Sequence, residues 1–174
     1  MGRGLRAVIG VSVLLLMFTF AGCLKSTEVP CTQTIDAIRL ANVNQAQLKL
    51  DVDAIDKYLA DNSITAVSDP SGLRYTITNA GDAARPCLEK RILVTYSGKL
   101  MSNGTVFDSN TDGLVFNLGG LILGWQIGLL KLGRGGKMTM YIPSVYGYGS
   151  QGSPPKIPAN SNLIFEVTLV DFDE

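Results

Sequence analysis

The chain contains no histidine. That zero removes Ser-His-Asp and Cys-His nucleophile pairs, and with them the commonest transition-metal ligand. An excess of one charge sign is also missing. Fifteen Lys+Arg stand against 15 Asp+Glu in 174 residues, so no basic field is present to draw in a nucleic-acid backbone, and no nucleic-acid partner is expected. Cysteine is scarce, with three in all, and the carboxylates are scattered rather than paired at a recognisable spacing. The segment "GRGGK" lacks the spacing and the final Ser/Thr of a phosphate-cradling loop. The expectation is therefore a protein with no metal and no cofactor. What the chain does have is apolar material. An apolar fraction of 46% against 17% charged allows a sizeable core in one domain with extra segments.

The N-terminus reads as a targeting segment. Arg3 and Arg6 precede "AVIGVSVLLLMFTFA", a run short for a membrane span and flanked by positive charge as a signal peptide requires. Ala21 and Gly22 directly before Cys23 resemble the lipobox of bacterial lipoproteins, which implies cleavage before Cys23 and its acylation. Residues 1–22 are then the signal peptide, and the protein reaches the lipid bilayer through an acylated Cys23. The alternative is an ordinary signal peptide or an uncleaved anchor with Cys23 incidental. Cleavage removes two of the cationic side chains and none of the acidic ones, so acyl chains rather than surface charge would hold the membrane, at roughly 0.8 kcal/mol per buried methylene. Of the other two cysteines, Cys31 and Cys87, a disulfide is expected in an oxidising compartment, tying the segment after the anchor to the globular part. Two separate thiols are the alternative.

The stretch "STEVPCTQT" is polar and reads as irregular. From about Asn42 to Ala60 the period becomes helical: Leu48, Val52, Ile55 and Leu59 form one apolar stripe, and Asn44 with Gln47 three residues on resembles a capping box. The stripe must bury against the chain's own domain or against a second copy, and the shortness of the helix favours the first. Residues 23–70 thus read as a tether with an amphipathic helix, closed by a linker whose turn signals are Asp69-Pro70 and Gly72. From residue 71 to 174 the period is two. "GLRYTIT", "RILVTYSGKL", "TVFD", "KMTMYIP" and "NLIFEVTLVDF" read as strands, with a hairpin at Asn103-Gly104 and a single short helix, "GWQIGLLKLG", among them. The fold class is α+β: an antiparallel twisted sheet wrapped around one short helix and preceded by an N-terminal helix.

Aromatics sit at the ends of these elements, and taken alone such residues are most often core. Tyr148 is the exception, because it lies in the Gly- and Pro-rich "YGYGSQGSPPKIPA", longer than a turn requires. The segments "VTYSGKLMSNGTVFDSN", "FNLGGLILGWQIGLLKLGRGGKMTMYIPSVYGYGSQG" and "IPANSNLIFEVTLVDF" together resemble the FKBP-type peptidyl-prolyl cis-trans isomerases, from about Leu73 to the C-terminus. The signatures occur in series: Tyr-x-Gly, Phe-Asp-Ser, Gly-Trp, Tyr-Gly, and Ile-Pro before Asn-x-x-Leu-x-Phe. The resemblance implies a pocket with Trp125 at the floor and Tyr96, Phe107 and Phe165 as walls. Leu114, Phe116, Leu121 and Ile122 stand beside them, and Asp108 follows Phe107. Tyr148 is at the rim, and Ile157 belongs to an overhanging loop. It also implies that the Tyr148 hydroxyl and the Ile157 N–H donate to carbonyls of a bound peptide or macrolide.

The physics suits such a list. An amide barrier of roughly 18–20 kcal/mol reflects resonance. The twisted amide has lost that resonance and is less polar about C–N, so an apolar, water-poor pocket favours it over the planar form. No nucleophile, base or metal is required. The expected activity is X-Pro isomerisation assisting protein folding in the cell envelope, on the periplasmic or surface side of a bacterial membrane, with proline-containing polypeptides as partners. The alternative is a binding module for proline segments or unfolded chains with little turnover. Four departures from the family pattern bear on substrate preference more than on activity. Leu114 stands where an aromatic is usual, no arginine follows "FDSN", Ser153 stands where some members have histidine, and Lys156 replaces a common apolar residue.

Overall fold

A computed structural model describes residues 1–2 and 31–173. The expected signal peptide and Cys23 lie outside the described residues, apart from residues 1–2. Among the described residues, the first helix is α1 (Ala37–Ala41), where Asp36 caps the first turn by accepting from the Ile38 N–H at 2.8 Å. This short helix was not expected. Its five residues are too few for a periodic stripe, and its stability comes from docking: Ile35, Leu40 and Val43 pack on the main core.

Helix α2 (Gln45–Asp61) follows the expected stripe. Ile55 and Leu59 are buried and pack with Tyr141 and Ile164 of the sheet's two central strands, so the helix is satisfied within its own chain. The cap is only half a capping box. Asn44 Oδ1 accepts from the Gln47 N–H at 3.0 Å, while the Gln47 side chain turns inward to Asp51 instead of reaching back. A bidentate pair between Arg74 and Asp56, at 2.8 and 2.9 Å, fixes the helix to the first long strand.

The strands are β1 (Val67–Ser68), β2 (Arg74–Asn79), β3 (Arg91–Leu100), β4 (Val106–Asn117), β5 (Gly136–Ile142) and β6 (Leu163–Phe172). They form one antiparallel sheet in the order β1-β2-β5-β6-β3-β4. β1 lies within the segment expected to be linker; two residues on a sheet edge carry no readable alternation. β4 runs well past the expected "TVFD". Its second half contains Gly113 at φ +96°, and Asn110 Oδ1 accepts from the Gly113 N–H at 2.7 Å. The register against β3 shifts between the Val94–Leu114 and Tyr96–Asn110 pairs, and that bulge breaks the period-two pattern.

Helix α3 (Leu123–Leu129) is buried along nearly its whole length. Trp125, Ile127 and Leu129 join Ile92, Val94, Met138, Met140, Phe165 and Val167 in the principal core. Gly124 and Gly128 allow that approach: a Cβ on either would collide with Ile142 or Met140 of β5. Cys31 and Cys87 are disulfide-bonded with Cα atoms 5.1 Å apart.

Candidate functional site

β3 presents Tyr96 and Gly98 on one face of the sheet, and β6 places Phe165 opposite Gly98. A second register shift, between Gly98–Asp108 and Lys99–Val106, makes Phe107 an extra residue on β4. The bulge turns both Phe107 and Asp108 toward the same cavity, where strict alternation would send only one. Trp125 rises from α3 between them. Its ring stands edge-on to Tyr96, Phe116 and Phe165, with centroids 5.3, 6.2 and 5.2 Å away. Phe107 meets Phe165 at 5.5 Å and 82°. Edge-to-face rings of this kind hold one another in place and leave a cup rather than a filled core.

The cup has a volume of about 150 Å³ and is lined by Tyr96, Phe107, Asp108, Phe116, Leu121, Ile122, Trp125, Tyr148 and Phe165. A second lobe of about 370 Å³ adjoins it, sharing Phe107, Asp108 and Tyr148 and adding Ser153, Pro154, Pro155, Lys156 and Ile157. Nine of the eleven residues expected to act as catalytic or binding groups therefore meet in the cup, and Ile157 lies in the adjoining lobe. Leu114 is outside both. It sits 41% exposed on edge strand β4, paired with Val94.

The polar groups of the cup are few. With no arginine nearby in sequence, Asp108 takes its hydrogen bond from the Tyr96 hydroxyl, at 2.7 Å. Burial, and then that bond to a carboxylate, push the Tyr96 phenol up to about 12. Burial and the Asp108 charge also raise Tyr148. Both phenols therefore stay protonated at neutral pH. Tyr148 is 38% exposed at the rim. The Ile157 N–H, the other expected donor, donates to the Ser153 carbonyl at 3.0 Å within the loop, and the Ser153 N–H returns a bond to Ile157 O at 2.8 Å. To serve a ligand it must exchange or share that partner. Trp125 Nε1 is buried without a hydrogen-bond partner.

The composition of the overhanging loop has a local cause. Gly149 and Gly152 adopt φ of +55° and +63°, and a Cβ on Gly152 would strike the Ile157 carbonyl. One further residue holds the wall and was not legible in the sequence. Gln126, 2% exposed, donates from Nε2 to Gly119 O at 3.1 Å and to Leu121 O at 2.6 Å. It ties α3 to the segment that carries Leu121 and Ile122. Only its unusual place, a polar residue in an otherwise apolar helix, could have signalled it.

A twisted antiparallel sheet closing over one short helix, with an aromatic cup and a hydrogen-bonding rim between them, defines an FKBP-like domain. A family profile for FKBP-type peptidyl-prolyl cis-trans isomerase matches residues 83–170, and the chain belongs to that family. Its relatives include the FKBP-type peptidyl-prolyl cis-trans isomerase FkpA of Escherichia coli K12, 33% identical over 164 residues, which cover 87% of this chain and 60% of the relative. The probable FkpA of Neisseria meningitidis is 43% identical over 103 residues, covering 58% of this chain and 38% of the relative. The chain thus spans less than two thirds of the length of these relatives. Among solved structures, a peptidyl-prolyl cis-trans isomerase from Pseudomonas syringae superposes with a TM-score of 0.63 at 27% identity, over 75% of this chain and 96% of that one.

Proposed function

We propose that this chain is a peptidyl-prolyl cis-trans isomerase that assists protein folding in the cell envelope. The observation that carries the reading is the cup itself: six aromatic side chains around about 150 Å³, with one carboxylate and two protonated phenols among the polar groups of its lining. A pyrrolidine ring is apolar and of matching size. Seated against Trp125, it would leave the X-Pro amide between Phe107, Phe165 and Tyr96, shielded from water. The planar amide loses hydration there, while the twisted amide, less polar about C–N, loses less. Tyr148 at the rim is placed to hold a flanking carbonyl, and Asp108 fixes Tyr96. The same cup and rim suit a macrolide as a competing ligand.

The test is a proline-limited refolding assay on the full chain in mild detergent. The uncatalysed phase takes roughly 10–100 s, and catalytic amounts of the protein should shorten it. Protection of an aggregating client with no change in that phase would overturn the isomerase reading and leave a binding module.

The absence of acid–base chemistry makes a second prediction. The cup's lining holds no histidine or thiol, and both of its phenols are raised, so kcat/KM on a blocked peptide should be flat from about pH 6 to 9. A bell-shaped profile would contradict the mechanism. The raised Tyr96 pKa also has a sign for stability. Its contribution is fully present below the unfolded phenol value of 10.0 and is lost as pH rises through about 12.

The proposed organisation is a signal peptide over residues 1–22, a lipid-anchored tether and helix over 23–70, and the isomerase domain over 71–174. Anchoring rests on the "FAGC" pattern. No helix of the described residues is long and apolar enough to cross a membrane. Cys23→Ser should move the protein from the membrane fraction to the soluble fraction. Retention of an uncleaved precursor in the membrane would favour a signal anchor instead.

A further inference from the structure

Helix α2 carries one residue that its apolar stripe does not explain. Asp51 lies on the buried face, 3% exposed, and takes part in none of the ion pairs among the described residues. Its Oδ2 accepts from Ser144 Oγ at 2.7 Å and, more weakly, from the Val145 N–H at 3.4 Å. Its Oδ1 accepts from Gln47 Nε2 at 2.8 Å. Its backbone carbonyl accepts from Asn162 Nδ2 at 3.3 Å, and Asn162 Oδ1 accepts in turn from the Ser144 N–H at 2.9 Å. Ser144 is fully buried.

These bonds gather both ends of one segment. Residues 144–145 are where the chain leaves β5 for the overhanging loop, and Asn162 is where it returns to β6. Between them stand Tyr148 and Ile157. A helix needed only to cover the sheet would gain as much from an apolar side chain at position 51, because a buried carboxylate carries a large desolvation cost. What offsets that cost is the carboxylate's hold on the first stem, through the buried Ser144 hydroxyl at 2.7 Å and the Val145 N–H.

We propose that Asp51 is a positioning residue. Its carboxylate fixes the first stem of the Tyr148–Ile157 loop to α2, and Asn162, bonded to the Ser144 N–H and the Asp51 carbonyl, ties the second stem to the first, which sets where the rim stands over the aromatic cup. Its kinetic consequence rests on the isomerase reading; its structural consequence does not.

The experiment compares Asp51→Ala, Asp51→Asn and Ser144→Ala with the unaltered full chain in mild detergent. Peptide kinetics and backbone hydrogen exchange are read well below the melting transition. A displaced rim loses grip on planar and twisted amide alike, so KM should rise with kcat nearly unchanged. For Asp51→Ala, kcat/KM should fall about 10- to 100-fold, the scale of a misplaced site. Amides of 144–162 should exchange faster while those of β3 and β6 keep their protection. Asp51→Asn, whose amide oxygen still accepts from Ser144, should recover most of both effects. Ser144→Ala, a single lost hydroxyl, should reproduce the exchange pattern in weaker form even where Asp51→Ala fails to fold. Exchange that accelerates evenly through the whole sheet, with KM unchanged, would overturn the proposal and make Asp51 a mere fastening of the helix. Should the unaltered chain show no isomerase activity, the function reading fails while the exchange pattern still decides the clamp.

Discussion

Gly98→Ala is expected to remove most of the isomerase activity from a chain that still folds. Gly98 is buried on β3 beneath the two facing walls of the cup. A Cβ there would lie 2.6 Å from Phe165 Cε1 and 2.7 and 2.9 Å from Phe107 Cζ and Cε2. Its φ is not in the left-handed region, so the backbone accepts alanine and the whole conflict falls on the rings. The open direction for either ring is into the cup. Phe107 and Phe165 are set edge-on to each other, and Phe165 is set edge-on to Trp125, so moving either one disturbs the floor. Overpacking of this kind costs about 1–3 kcal/mol, and the displaced walls should lower kcat/KM by about 100-fold. Thermal unfolding and peptide kinetics on the same preparation check both halves. Activity at the level of the unaltered chain, with its melting temperature also unchanged, would mean that the cup is more pliant than its ring contacts imply.

The parts of this molecule that were legible in its sequence are those where one physical rule acts alone. Leu48, Val52, Ile55 and Leu59 share one helix face, and two of them are fully inside. Ile92 and Val94 alternate on β3 because only one side of the sheet faces the core. Asn103-Gly104 marks its hairpin because Gly104, at φ +72°, needs no side chain there. Legibility failed where two rules compete. The second half of β4 is an edge strand with a bulge, so "SNTDGLVFN" shows neither alternation nor a run. The bulge at Phe107 is equally silent, yet it brings both Phe107 and Asp108 to the site. The family motif supplied that pair when periodicity could not. Leu114 shows the motif's limit: a position carried over by spacing lies beyond the cup once the strand bends. Asp51 and Gln126 were unreadable for another reason. A polar residue in an apolar stripe looks like an interruption until its partners, 93 and seven residues away, are known.

Reducing the Cys31–Cys87 bond is expected to produce the largest loss of stability among these changes. The bond closes a loop with a sequence separation of 56, and a loop of that length restricts the unfolded chain by about 4 kcal/mol in the chain-entropy account. Its position adds a native-state effect. Next to it, the Leu88 N–H donates to Thr32 O at 2.9 Å, the Thr32 N–H donates to Glu89 Oε2 at 3.0 Å, and Gln33 Nε2 donates to Arg85 O at 3.2 Å. The two side-chain bonds are exposed and each of the three is of small net worth, so without the covalent tie α1 and its apolar contacts can leave the core as a unit. The same ladder reaches the site, since the Gly119 N–H donates to Leu88 O at 2.7 Å. Gln126 holds Gly119 and Leu121 independently from α3, however, so the cup wall keeps one of its two supports. The urea midpoint should therefore fall steeply on reduction, and the slope should rise because a longer free chain exposes more surface when unfolded. In the absence of denaturant, kcat/KM should fall far less than in Gly98→Ala. A Cys31→Ser, Cys87→Ser double variant separates the loss of the bond from the chemistry of the reductant. A midpoint unchanged in both would show that the described contacts of residues 32–43 hold that segment without the bond.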